Sequence, residues 1–314
     1  EDLLAALLAF KLSENNEIKD FSLYGNNSQY GNFDDIVLHY ELNNLDSKHT
    51  FVVQMKHYNE SKKITSTHLA SAQGDFSIQS YFKSFETFRH KLQNNFNCVL
   101  YTTARCEFSE NYEFTLKDFA NLKLRVRKHY CLDENFPNTS AKSFVYKFEI
   151  VNDEDTVSES FRDFLDHLFL YPNQKDVPHL KEYISTEFRK TYFCKENEFL
   201  WYTKYISSWS ACERKKMVLN KNTTTAKIAE ILLKPHLSTG SLSSKDFDFD
   251  LFSKTCQQCD IGVTSFDLHF SLFCDELPNE EKSLNIKEKF QINSESEEDR
   301  AVILWHMLKS PLII

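Results

Sequence analysis

The sequence predicts an α/β protein: a mixed β-sheet flanked by helices to about residue 152, then a mainly helical region over 153–314. Three observations carry this expectation. Leu3-Leu4, Leu7-Leu8, Phe10 and Leu12 recur at helical spacing at the start of the chain. Phe33–Tyr40 and Phe51–His57 are short segments dominated by β-branched and aromatic residues, as strands are. Between them and the apolar run Asn97–Thr103 lies a stretch with Ile78, Tyr81, Phe82, Phe85 and Phe88 at helical period. A helix joining two strands implies a crossover, hence a sheet that is not purely antiparallel.

The first helix ends in the polar Ser13-Glu-Asn-Asn16. Phe21–Tyr24 is a short strand, and Gly25–Asn32 carries Gly, Asn and Ser in the density that marks a loop. Two strands follow, at about 33–42 and 50–57, then a polar stretch from Asn59 to Thr67. Phe76 to about Asn95 reads as one long helix. Asn97–Thr103 is nearly continuous in apolar side chains, the mark of a strand buried on both faces. Residues 121–132 and 143–151 give two more strands. Beyond the polar run Val151–Thr156, Phe161, Phe164-Leu165 and Leu168-Phe169 favour helix, as does Ile228–Leu233. A boundary near residue 152 therefore divides domains 1–152 and 153–314. Ser160–Phe164 leading to Pro172 faintly resembles Ser265–Phe270 leading to Pro278, which suggests a repeated helical unit.

Composition narrows the function. With 28 Phe and 14 Tyr but only 5 Gly, the chain has a large core and no glycine-rich nucleotide loop. No apolar run reaches the roughly 20 residues that span a bilayer, so no membrane partner is expected. Eight Cys without tight disulfide spacing, and no basic leader, point to free thiols and an intracellular location, cytoplasm or nucleus. The absent initiator Met suggests part of a longer protein. The net charge of -9 argues against a nucleic-acid partner, but the acidic excess lies mostly in the second half. Lys123, Arg125, Arg127 and Lys128 form a basic cluster on a predicted strand, the first three sharing one face. It reads either as a charge-guarded solvated strand or as a phosphate-backbone contact.

The chemistry-bearing residues are Asp34 and Asp35 at the start of one strand and Gln54 and Lys56 near the end of the next. Alternation puts Gln54 and Lys56 on one face. If the two strands form a hairpin, a carboxylate, an amide oxygen and an ammonium meet, a set able to hold a divalent cation beside a phosphate. Alternation alone does not say which Asp faces Lys56. Cys256, Cys259, His269 and Cys274 have the residue types of a zinc site, although buried free cysteines explain them equally. His57 and His68, close to the motif, suit structural or phosphate-contacting roles, and His39 a place on the strand surface.

Gly31–Leu38 followed by Phe51–His57 resembles the core of the restriction-endonuclease-like PD-(D/E)XK nuclease superfamily. The resemblance is to the branch written Asp-Asp-Ile … Gln-x-Lys-His. That branch includes double-stranded-DNA nuclease domains of anti-phage effectors, N-terminal domains of large arthropod proteins and, more distantly, domains of Wolbachia cytoplasmic-incompatibility factors. It covers roughly residues 3–105, and Gly74–Phe82 is similar to the arthropod members. It implies an α-β-β-β-α-β core and a metal-dependent endonuclease, part of a larger effector or toxin-like protein, that hydrolyses DNA with Mg²⁺ or Mn²⁺. RNA is the other candidate substrate. Carried over, Asp35 is the metal-binding acid, Gln54 stands where most members have Glu or Asp, and Lys56 positions or activates the attacking water. A further Glu common in the branch is replaced here by Asn26-Asn27, which leaves Glu14 or Glu17 as substitutes. The alternative is a catalytically inactive pseudonuclease serving protein–protein interaction through the helical region. A homodimer would supply the two sites that double-strand cleavage needs.

Overall fold

The computed structural model describes residues 1–43, 45–58, 62–92, 95–117, 119, 121–130, 136–140, 144–152, 157–210 and 218–238. The Cys256/Cys259/His269/Cys274 set and the second copy of the suggested repeat lie outside these residues.

The chain begins with α1 (Asp2–Glu14), in which every residue from Leu4 to Phe10 is buried. A helix that is apolar around its whole circumference belongs inside a fold rather than on one surface of it. A meander follows: β1 (Ile18–Gly25), β2 (Ile36–Leu42) and β3 (Leu45–Lys56), each antiparallel to its predecessor. The two-residue β4 (Lys63–Ile64) lies in the stretch read as polar, the single-turn α2 (Ser66–Ala70) begins at its end, and α3 (Ile78–Phe88) leads to β5 (Phe96–Thr102). β5 lies parallel to β3, so α3 is the crossover. The helix is shorter than its sequence signal, because Arg89–Lys91 tightens into a 3-10 turn. β6 (Arg105–Cys106), β7 (Glu113–Leu116), β8 (Leu122–Tyr130) and β9 (Phe144–Ile150) come next. α4 (Glu159–His167) then gives way directly to β10 (Leu168–Tyr171).

From β1 the mixed sheet runs β1-β2-β3-β5-β10-β9-β8-β7. The fold is thus α/β with a large mixed sheet and flanking helices. Leu168-Phe169 was expected in a helix; instead β10 is a strand with all four residues buried, parallel to β5 on one side and antiparallel to β9 on the other. A short apolar run carries no periodicity that separates buried strand from helix, and here the slot between β5 and β9 decides it. Because β10 follows residue 152, the sheet continues past the domain boundary read from the sequence. By its contacts the chain forms one compact unit of Glu1–Ile184 with Ser207–Leu219, and another of Ser185–Ile206 with Asn220 onward.

One face of the sheet in the first unit presents Val37, Val52, Cys98 and Leu100 to Phe82, Phe85 and Phe88 of α3 and to Phe161 and Phe164 of α4. The rings interlock, with Phe82 edge-on to Phe161 at 4.8 Å and Phe85 against Phe164 at 5.2 Å. Each such ring contributes about 2–3 kcal/mol through area removed from water. In the second unit Phe188, in α5 (Val177–Tyr192), stacks on Tyr202, in α6 (Glu196–Ser210), at 4.9 Å. α7 (Lys221–Ser238) completes the described helices. Among the described residues no helix is long and apolar enough to cross a membrane.

Candidate active site

The hairpin register selects between the two acids. β2 and β3 pair Ile36 with Val53 and Val37 with Val52. One step further along the same register, Asp35 stands across from Gln54, on the face that carries Val37 and Val52. The side chains meet there: the Gln54 amide nitrogen and the Met55 backbone N–H (2.6 Å) both donate to Asp35 Oδ2. Gln54 is buried at 8% exposure, and Lys56, two residues on, shares its face at the open end of β3.

The approach to Asp35 is held from two directions. Asn26 and Asn27 donate backbone N–H groups to the carbonyls of Asp35 (3.1 Å) and Asp34 (2.7 Å). Asn26 has φ +48°, the left-handed conformation that Asn tolerates better than most residues. The 3-10 turn Ser28–Phe33 is pressed on α3: Asn32 N–H donates to Ser84 Oγ at 2.7 Å, and Gly31 has φ +58° and ψ -122°. A Cβ at Gly31 would lie 2.2 Å from Ser84 Oγ, so glycine is what this close approach permits.

A residue not anticipated from the sequence completes the acidic group. The Glu1 carboxyl touches the side chains of Asn26 and Asp35; burial first, and the Asp35 charge second, raise its pKa above the usual carboxylate value. Asp34 is raised as well, chiefly by burial and by Asp35, against opposing pulls from its own backbone N–H and from Lys56. Glu14 is at the other end of α1, roughly 20 Å from Glu1 by helical rise, and Glu17 lies in the turn just before β1. The geometry was available in principle. A helix followed at once by a strand of matching length returns the chain to where the helix began. Acids at the α1–β1 turn are therefore remote from Asn26, whereas the start of α1 is beside it.

Lys56 has a partner of its own. Its Nζ lies 3.7 Å from Asp75 Oδ1, just ahead of α3. Tyr58 OH donates to Asp75 Oδ2, and Tyr81 OH donates to the Asp75 carbonyl at 2.8 Å. Burial first, then Asp75, push both phenols well above their usual pKa, so they remain donors; Tyr81 also feels Asp35 and Asp34. Tyr58 is tied to Thr103 by paired bonds, N–H to Oγ1 and Oγ1–H to carbonyl, each 2.8 Å.

Other candidate residues have structural work. His68 Nδ1 accepts Thr65 N–H at 3.0 Å and caps α2. His39 is half-buried, with Nδ1 2.9 Å from Thr50 Oγ1, and burial with Lys48 lowers its pKa. His57 is exposed. The basic strand is neutralised locally: Lys123 and Arg125 pair with Glu113 at 3.1 and 2.6 Å, and Arg127 pairs with Glu149 at 2.6 Å. Lys128 Nζ rests 4.9 Å above the Phe144 ring. β8 is interior to the sheet, with β7 outside it, and cross-strand pairing accounts for these charges.

The oxygen-bearing side chains that gather are therefore Glu1, Asp35 and, after rotation of its amide, Gln54. Among the described residues no three His, Cys, Asp or Glu side chains form a metal-sized group, so the amide would have to serve as the third donor. Comparison with known families and with curated proteins finds no family model and no protein that matches the chain.

Proposed function

We propose that the first unit is a metal-dependent endonuclease domain of the PD-(D/E)XK type that hydrolyses DNA phosphodiester bonds. The observation that carries this reading is the meeting of Glu1, Asp35 and Gln54 at one end of the β2–β3 hairpin, with Lys56 on the same face of β3. The order α1-β1-β2-β3-α3-β5 and the parallel β3–β5 pair also agree with that core.

The donor set fits Mg²⁺ or Mn²⁺. Both take oxygen ligands, and Mg²⁺ commonly uses one or two carboxylates, its remaining positions filled by water and phosphate. Two carboxyls in contact, one with its pKa raised, form a site whose charge a divalent cation would balance. Glu1 and Asp35 would hold it by their carboxylates and Gln54 by its amide oxygen. When bound, the ion acidifies an attacking water and stabilises negative charge on the phosphate. Lys56 directs its ammonium at the non-bridging oxygens and opposes the charge that builds there. Water would add to phosphorus, giving up a proton to solvent, as the bond to the departing sugar oxygen breaks, and that oxygen would take a proton from solvent.

The test is plasmid nicking with Mg²⁺ or Mn²⁺ by wild type, Asp35→Ala and Lys56→Ala. Each variant is expected to lose roughly hundredfold or more in rate. Equal cleavage by all three would remove the site from the reaction.

A second reading, a pseudonuclease acting as an interaction module, has one observation in its favour. Asp35 Oδ2 is already satisfied by two donors of its own chain. Wild type that neither cuts nor gains thermal stability from Mg²⁺ or Mn²⁺ would select it. On the leading reading the protein is intracellular, DNA is the partner, and paired sites in a homodimer make double-strand breaks.

A further inference from the structure

We infer that Asp75 is a charge latch on Lys56: an anchored carboxylate that occupies the ammonium until a DNA phosphate displaces it. The inference rests on the proposed reading of the site as one that faces a phosphodiester. Three features separate Asp75 from an incidental surface partner.

It is anchored independently of the lysine, since Tyr58 OH holds its second oxygen and Tyr81 OH holds its carbonyl. Tyr58 is in turn fixed to Thr103, just past the end of β5, which holds the carboxylate in place when the lysine moves away. The pair itself is loose. At 3.7 Å it exceeds the 2.7–2.9 Å of a charge-assisted hydrogen bond, and Asp75 is 57% exposed while Lys56 is 28% exposed. An ion pair of this kind exchanges partners readily. Lastly, among the described residues Asp75 is the acid that forms an ion pair with Lys56, while Glu1, Asp34 and Asp35 crowd the neighbouring corner. An anion entering this corner must therefore supply what Asp75 supplies now. A duplex does so with many phosphates and with release of its counterions, which a single phosphate lacks. The latch thus favours polynucleotide over free phosphate.

The experiment measures binding of a hydrolysis-resistant phosphorothioate duplex by fluorescence anisotropy at one fixed ionic strength with Mg²⁺ present. Asp75→Asn keeps an acceptor for Tyr58 and the carbonyl for Tyr81 but removes the charge. It is expected to bind about three- to tenfold tighter than wild type. Asp75→Glu should match wild type, and in a Lys56→Met background Asp75→Asn should change affinity less than about twofold. An equal gain in both backgrounds would reduce Asp75 to general repulsion. No gain, weaker binding, or no duplex bound by Asp75→Asn would each overturn the latch. Cleavage of an ordinary duplex by the same proteins separates the two ideas. Active enzyme with an unchanged Asp75→Asn affinity keeps the hydrolase and loses the latch; a latch effect without cleavage does the reverse.

Discussion

Replacing Gly31 with Ala should destabilise the protein by about 2–4 kcal/mol, and the figure has two separable parts. Gly31 has φ +58° and ψ -122°, a region that side chains with a Cβ avoid at a cost of about 1–3 kcal/mol. The added methyl would also lie 2.2 Å from Ser84 Oγ, the atom that accepts the Asn32 N–H at 2.7 Å. Moving Ser84 aside breaks that hydrogen bond, which contributes about 1 kcal/mol. Urea unfolding of wild type, Gly31→Ala, Ser84→Ala and the double variant gives the division through ΔG at constant m. In the double variant the clash is gone and, relative to Ser84→Ala, only the backbone part remains, so the two substitutions should be less than additive. The turn leads into Asp34 and Asp35, so on the proposed reading DNA cleavage should fall with stability. A Gly31→Ala loss below about 0.5 kcal/mol, within the range of ordinary surface substitutions, would refute this account of how the turn is seated on α3.

Two further outcomes follow from named contacts. Glu1 has a raised pKa in the folded protein, so its contribution is complete below its ordinary value of 4.5 and is lost as pH rises through the raised one. Without divalent ions, Glu1→Gln should match wild type in thermal stability at about pH 4 and exceed it near neutrality, and added Mg²⁺ should narrow that gap; a pH-independent difference would mean that the carboxyl does not sit against Asp35. Gln174 is buried, accepts from Thr139 N–H (2.8 Å) and Oγ1 (2.9 Å), and donates to Asn138 Oδ1 (2.9 Å) and the Pro172 carbonyl (3.0 Å). Gln174→Ala should cost about 2–4 kcal/mol in urea unfolding by leaving several of these groups buried without a partner, and a loss under 1 kcal/mol would show that water replaces the amide.

How much of this the sequence carried depends on the reach of each signal. Period and residue type are local, so α1, β2, β3, β5, β8 and β9 were legible, with ends off by a few residues. β10 was not: Leu168–Tyr171 is apolar enough for helix or buried strand, and only its neighbours β5 and β9 decide. Gln54 and Lys56 were readable as one face because alternation is a property of one strand. The choice of Asp35 over Asp34 needed register, a property of two. Glu1 and Asp75 depended on where chain reversals bring distant residues. Asp75 follows Lys56 by 19 positions in sequence. It arrives at the end of β3 because a crossover helix must start where the strand stops. The basic cluster on β8 shows the opposite failure: its charges are real, but Glu113 and Glu149 on adjoining strands answer them, and no reading of one strand reveals its neighbours.

The same pairings bear on how an acidic chain could act on DNA. The formal charge is -9, and Lys123, Arg125 and Arg127, the obvious basic patch, are engaged with carboxylates. Among the described residues this patch therefore offers a polyanion little unanswered positive charge. The candidate site is itself rich in carboxylates: Asp75 pairs with Lys56, Asp34 feels both Lys56 and Asp35, and Glu1 lies against Asp35. On the proposed reading this corner would repel phosphate without a cation, and a divalent ion held by Glu1 and Asp35 would turn the balance, so that Lys56 becomes worth more to an incoming phosphate than to Asp75. On the proposed reading, metal and DNA therefore bind cooperatively. Gln54 sharpens the dependence, because an amide in place of a carboxylate weakens the empty site's hold on the ion and leaves more of that hold to the phosphate.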